Sequence, residues 1–471
     1  MSESSAGKSE TNNSNLLLFL VVLTSFINPF MGAAVNIALP GMAAELRMNT
    51  IVMGWVSMSF LLASVAVLLP IGKIADMTGR KKIFIFGNII VTIASGLCAL
   101  ASSSEMLISF RLLQGIGGSM MFGTGTAMIT SAFPPEKRGR AIGINVSAVY
   151  LGLTLAPLLG GFLTDLFGWR SIFWLNIPFG LFVIPATFFA IKTEWRDAAD
   201  EHFDVTGSVI YIISIAILMF SFSKLPDFSA IVMTIAGLSG MVLFILNEKR
   251  VSFPILDMNL FTGNKVFAYS NLAALINYAA TFAVTFLLSL YLQYIKGMTP
   301  SDAGMMLVTQ PILMTLVASF SGRLSDKLDP RILSSAGMGI IVAGLAMLGF
   351  LNELTQPAYI IYCLVILGTG FGMFSSPNTN AVMSSVPKRY LGVASATIGT
   401  MRLAGQMISM AIATLVLHLF MGESKINPSN HNLFITSTRI IFVVFSVLCV
   451  AGVFASLARG KRDNTGSIHR D

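Results

Sequence analysis

Two arginines stand inside long apolar stretches of this chain, each with a glutamine on the same helical face. Arg111 is followed by Gln114 and Arg402 by Gln406. A guanidinium in hydrocarbon costs about 3 kcal/mol or more, so each must face a partner or a wet cavity. Spacings of three and four residues bring guanidinium and amide to one side of a helix. That is the chemistry of holding a polar solute, not of breaking bonds. Asn36, Asn145, Tyr150, Thr154, Asn277, Tyr278, Gln310, Asn378 and Asn380 recur at similar depth in other apolar stretches. Singly each suits a helix–helix hydrogen bond, and as a set they suit the wall of a polar pocket. Asp and Glu keep to helix ends and loops, as at Glu45, Asp76, Glu105, Asp165, Glu248, Asp302 and Glu353, and His418 lies near the end of an apolar run. Embedded cations without embedded acids make a cavity electropositive, favouring neutral, zwitterionic or anionic solutes over cations.

Catalytic chemistry finds no footing. The apolar runs hold no Ser/His, paired-Asp or metal-ligating constellation, so neither an enzyme nor a metal site is expected. Gly7-Lys8-Ser9 looks like the end of a phosphate loop, but Ser2 stands where its first glycine is needed and no strand precedes it. No cofactor is expected. Cys98, Cys363 and Cys449 each lie within an apolar run and read as small core residues.

The elements that position these residues are membrane helices. Of 471 residues 55% are hydrophobic and 11% charged, with a mean hydropathy of +0.78, against roughly 25% charged in soluble domains. Fourteen runs approach the roughly 20 apolar residues that a spanning helix needs: 16–40, 51–71, 83–101, 105–131, 141–163, 171–191, 205–223, 230–247, 267–293, 302–322, 332–351, 357–380, 392–420 and 435–458. With the N-terminus inside, the inner segments hold 22 Lys and Arg and the outer ones 5 (Arg47, Arg170, Lys224, Lys296, Lys425). That asymmetry puts both termini in the cytoplasm and requires an even number of spans. The net charge of +8 lies in short loops, not on one soluble face, so nucleic acid is not an expected partner. Residues 1–15 are polar and Ser/Asn-rich and read as a disordered cytoplasmic tail; 459–471 read as a second short tail.

Between the second and third runs lies Gly72-Lys-Ile-Ala-Asp-Met-Thr-Gly-Arg-Lys-Lys82, and a weaker copy recurs as Gly322-Arg-Leu-Ser-Asp-Lys-Leu-Asp-Pro-Arg331. The recurrence implies an internal repeat. This loop resembles the signature of the major facilitator superfamily. Arg111-Leu-Leu-Gln-Gly-Ile-Gly-Gly118 and Gly152-Leu-Thr-Leu-Ala-Pro-Leu-Leu-Gly-Gly161 are similar to two further motifs of that family, the second typical of its antiporters, with Ala156 where glycine is usual. The extra hydrophobic pair between the halves and Phe253-Pro-Ile-Leu-Asp-Met-Asn-Leu-Phe261 resemble the fourteen-helix drug:proton antiporter branch.

The resemblance implies an all-α membrane protein: a six-helix bundle over 16–191, a linker with two added helices over 192–252 and a second six-helix bundle over 253–458. It implies a monomer in the cell membrane, moving a small molecule by alternating access with protons as coupling ion. Gly72, Asp76, Gly79, Arg80, Arg140, Pro157, Gly160 and Gly161 are expected to govern conformation, with the basic residues of Pro134–Arg140 helping Asp76 latch the halves. Asn36, Arg111, Gln114, Asn145, Tyr150, Asn277, Tyr278, Gln310, Asn378, Arg402 and Gln406 are expected to serve substrate or coupling. One departure bears on substrate: five residues before Asn36, where that branch carries aspartate, this chain has Met31. Family frequency points to efflux of amphipathic drugs; the charge census points to a neutral or anionic metabolite or vitamin.

Overall fold

The computed structural model describes residues 2–198, 201–222, 224–256, 258–325, 327–387 and 391–460; side chains are described from Ser14 onward, apart from those of residues 135–136, 259–260 and 391–392. The described chain is helical: α1 (Ser2–Leu46), α2 (Thr50–Thr78), α3 (Arg80–Ala99), α4 (Ser104–Ala132), α5 (Pro135–Phe167), α6 (Arg170–Ala190), α7 (Val205–Phe222), α8 (Phe228–Glu248), the single turn α9 (Asn259–Thr262), α10 (Lys265–Leu290), α11 (Pro300–Leu307), α12 (Thr309–Leu324), α13 (Pro330–Leu348), α14 (Pro357–Ser384), α15 (Leu391–Met421) and α16 (His431–Ala458). Helices dominate because hydrocarbon offers backbone amides no partner but each other. Short polar caps set their starts: Asn49 accepts from Val52 N at 2.9 Å, Ser103 from Met106 N at 3.3 Å and Asn264 from Phe267 N at 2.9 Å. Helical backbone runs back to Ser2 through the stretch expected as an irregular tail, because extending a formed helix adds one hydrogen bond per residue. The tail from 461 onward lies outside the described residues.

Among the described residues thirteen segments are long and apolar enough to cross a membrane, with α11 and α12 counted together. α4 is not among them, although its 29 residues give it the length of its neighbours. Glu105, Arg111, Gln114 and glycines at 115, 117, 118, 123 and 125 lower its hydropathy. Such a helix is placed by protein neighbours instead of by lipid, and α4 packs along both α2 and α3.

The two halves repeat one packing scheme. In the first, α1 packs on α5, α2 on α4, and α3 on α4 and α6; in the second, α10 packs on α15, α12 on α14, and α13 on α14 and α16. α7 and α8 pair with each other, and α7 leans on α2 and α15. The halves meet at one end. Thr50 Oγ1 donates to Ser424 O at 2.7 Å, Ser289 Oγ to Asn36 O at 2.9 Å and Gln293 Nε2 to Ile37 O at 3.0 Å. Pro157–Gly161 of α5 touches Pro300–Gly304 of α11 so closely that a Cβ on Gly161 would lie 2.4 Å from Pro300 O. All these contacts lie toward the face away from the termini. Nearer mid-depth, Thr154 Oγ1 lies 3.3 Å from Thr315 Oγ1 and 3.4 Å from Pro311 O of the other half.

A central cavity and its arginine

Below that seal lies a cavity between the halves. α1, which carries Pro29 within its helix, enters it through Asn28; Asn28 Nδ2 donates to Gly118 O at 3.3 Å. α2 supplies Ser57, Phe60 and Ser64, α4 supplies Phe122, α10 supplies Phe282, and α15 supplies Arg402 and Gln406. Arg402 lies over the Phe122 ring, 4.9 Å from its centroid. The hydrogen bonds and ion pairs among the described residues include none to its guanidinium, and no acidic residue lines the cavity. A cation held over one aromatic face, with no counter-ion, is a site for an acceptor-rich, neutral or anionic group.

The other sequence-derived candidates divide. Gln406 joins Arg402 in the wall. Tyr278 lies within electrostatic reach of Arg402 and Tyr150 and packs edge-on against Phe371 at 5.4 Å. Arg111 does not reach the cavity. It is fully buried, donates through Nε to Val56 O at 3.1 Å and through Nη1 to Gln114 Oε1 at 2.5 Å, and stacks on Phe60 at 4.6 Å. Gln114 passes the network to Ser95 Oγ at 2.7 Å, which Asn176 also meets at 2.7 Å. Arg111 therefore ties α2, α3, α4 and α6 together. Asn36 accepts from Ser57 at 2.7 Å, and Asn378 donates to Ser270 O at 3.1 Å; both join helices. Among the described residues, Asn145 Oδ1 and both polar side-chain atoms of Asn277 are buried without a hydrogen-bond partner. Gln310 is half-buried near the start of α12. Met31 is buried in the core and contributes nothing to the cavity wall.

The loop at 72–82 is held within its own half. Gly79, at φ +126°, makes the corner between α2 and α3, and Gly72 lies inside α2. Arg80 Nε donates to Asp76 Oδ1 at 2.7 Å, Nη1 to Ser131 Oγ at 2.6 Å, and Nη2 pairs with Asp197 at 2.7 Å. The segment after α6 clasps the loop from outside: Glu194 accepts from Lys81 N at 2.8 Å, Trp195 O accepts from Arg80 N at 3.1 Å, Ala198 N donates to Asp76 O at 3.1 Å, and Glu201 pairs with Lys73. Arg140 is exposed, and Arg138 Nε donates to Phe133 O at 2.8 Å, so Pro134–Arg140 does not meet Asp76 in this conformation. The counterpart at 388–390 lies outside the described residues.

Sequence reasoning passed over Asn28, Phe122 and Arg459. Asn28 was signalled by the Asn-Pro pair inside an apolar run. Phe122 carried no signal, being one of 35 phenylalanines. Arg459 looked like an orienting charge, yet it is buried, with Nη2 donating to Ser456 Oγ at 2.6 Å and Nη1 to Ser270 Oγ and Asn378 Oδ1 at 3.2 Å each.

The family model described as Major Facilitator Superfamily matches residues 21–410 and 271–467. The chain belongs to the major facilitator superfamily. Two curated relatives are each 30% identical to it. One is the riboflavin transporter RibZ of Clostridioides difficile, over 87% of this chain and 88% of that protein; the other is the multidrug resistance protein Stp of Mycobacterium tuberculosis, over 85% and 74%. Among solved structures, a bacterial homologue of the human lysosomal transporter Spinster, in an inward-facing and unoccupied conformation, superimposes with a TM-score of 0.68, covering 95% of this chain and 97% of its own at 17% identity. That likeness concerns the fold. This superfamily member is thus a multi-pass membrane transporter for small molecules, with an all-helical frame.

Proposed function

We propose that this protein is a secondary transporter working by alternating access, and that its cargo is a planar, neutral or anionic organic solute of the vitamin or metabolite class. The observation that carries this reading is Arg402, stacked on Phe122 in a cavity whose walls hold no acid. Phe60, Phe122 and Phe282 offer faces for an aromatic ring, while Asn28, Ser57, Ser64 and Gln406 offer hydrogen bonds to its edge. The similarity to a riboflavin transporter supports the same class. Placing the termini in the cytoplasm, as the charge asymmetry does, makes the cavity inward-facing and its seal extracellular. With α4 counted as a span, the bundle has fourteen, the hairpin α7–α8 sits between two six-helix halves, and the protein works as a monomer in the cell membrane.

The second reading is proton-coupled efflux of amphipathic drugs. It is favoured by the similarity to a multidrug resistance protein and by the aromatic cavity wall. Thermal-shift and proteoliposome measurements with riboflavin, flavin mononucleotide and ethidium separate the two. We expect the flavins to raise the unfolding midpoint and to move across the bilayer, and Arg402→Gln to remove both effects. Ethidium movement driven by a pH gradient, with no flavin response, replaces the first reading by the second.

A further inference from the structure

We propose that Asp204 and Glu248 together form a proton-binding site, apart from the central cavity, at the base of the α7–α8 hairpin. Asp204 precedes α7 and Glu248 ends α8, and they are 8% and 3% exposed. Asp204 Oδ1 accepts from Gly207 N and Oδ2 from Asn247 Nδ2, each at 2.8 Å, and Glu248 Oε2 accepts from Leu256 N at 2.8 Å. Glu248 Oε1 is buried and has no donor. The two carboxyl groups meet over the α-carbon of Gly207: a Cβ there would lie 2.8 Å from Glu248 Oε1 and closer still to Asp204 Oδ2. Two ionised carboxylates side by side in a buried place repel, whereas one shared proton turns repulsion into a charge-assisted hydrogen bond and supplies the missing donor.

Among the described residues no neighbouring cation does that work. Lys73 is paired with Glu201 and lies 6.0 Å from the Phe253 ring; His202 packs edge-on against the same ring; Lys249 and Arg250 are exposed. Asp257 lies outside the described residues. When the proton leaves to water, the pair becomes doubly charged, and the repulsion between the carboxylates is set against Glu248's hold on Leu256 N. That hold anchors the strap 249–256, which leads from the hairpin toward α10. Proton occupancy therefore sets how firmly hairpin and strap are joined. This site stands whether or not the cargo reading above holds, since its test needs no substrate.

The test is pH-stepped infrared difference spectroscopy on the full chain in nanodiscs, from about pH 5 to about pH 9, bracketing ordinary and strongly displaced carboxyl titration. Wild type is expected to show a protonated-carboxyl C=O band that fades as pH rises, and Glu248→Gln and Asp204→Asn are each expected to lack it. The unfolding midpoint adds a second readout. One proton bridges the pair below its titration and two charges face each other above it, so wild-type stability falls as pH rises through that point. Glu248→Gln keeps a donor toward Asp204 at every pH, and its midpoint should lose that alkaline fall. A wild type without the band, or a band retained in both variants, overturns the proposal, as does an alkaline fall unchanged in Glu248→Gln.

Discussion

At the scale of single residues, two arginines that look alike in sequence have different work. Arg111 spends its donors on Val56 O and Gln114 and is closed off from the cavity. Replacing it with alanine strands a buried carbonyl and a buried amide, each costing about 1–3 kcal/mol. The expected outcome of Arg111→Ala is a lower unfolding midpoint and poor yield, with the substrate profile of the surviving protein unchanged; a changed charge preference would return Arg111 to the binding site. Arg402 has no such partners. Arg402→Gln is expected to leave the midpoint within a degree or two, because no hydrogen bond to a described residue is lost, while weakening binding of anionic cargo at least tenfold, about 1.4 kcal/mol. Titration calorimetry of both variants against one ligand gives the comparison.

At the scale of elements, the α5–α11 junction decides which face is shut. Pro157, Gly160 and Gly161 were legible as a motif, but their partners were not: Gly160 lies against Ala34 of the same half, and Gly161 against Pro300 of the other. Backbones approach this closely only where side chains are absent. Gly161→Val should force α5 and α11 apart and bias the protein toward opening on the face away from the termini. Labelling of single cysteines on that face should rise while uptake into proteoliposomes falls at least tenfold; unchanged labelling would show that the junction yields without opening. The clasp of Glu194, Trp195, Asp197 and Glu201 on the 72–82 loop was not legible, because its residues looked like an ordinary linker. Only a fold that turns the end of α6 back across the α2–α3 corner brings them together.

At the scale of the whole molecule, one conformation is present, with the halves joined where Thr50 meets Ser424. A disulfide between Thr50→Cys and Ser424→Cys is expected to form readily, because those residues already touch, and to stop transport until reduced. Transport that persists in the oxidised double variant would mean that the halves do not rock apart at this end. Asp76 bonds Arg80 within its own half here, and the latch across the halves that the family resemblance implies would have to form in another conformation. Asp76→Asn should therefore insert and fold yet turn over several-fold more slowly in proteoliposomes; wild-type turnover would remove the latch.

Composition, hydrophobic run length and the repeated Gly-Arg-Asp loop determined the class of this protein before any coordinates. Those are local properties, and hydrocarbon leaves a chain this apolar little choice but helices. The same patterns ranked Arg111 and Arg402 equally, missed Phe122, and left Asp204 and Glu248 as two unrelated loop acids 44 positions apart. Which polar group faces a void, which is spent on a neighbour's carbonyl and which meets a like charge depends on the rotation and packing of whole helices. Rotation and packing are collective, set by contacts between residues far apart in the chain, and only the tertiary structure decided them.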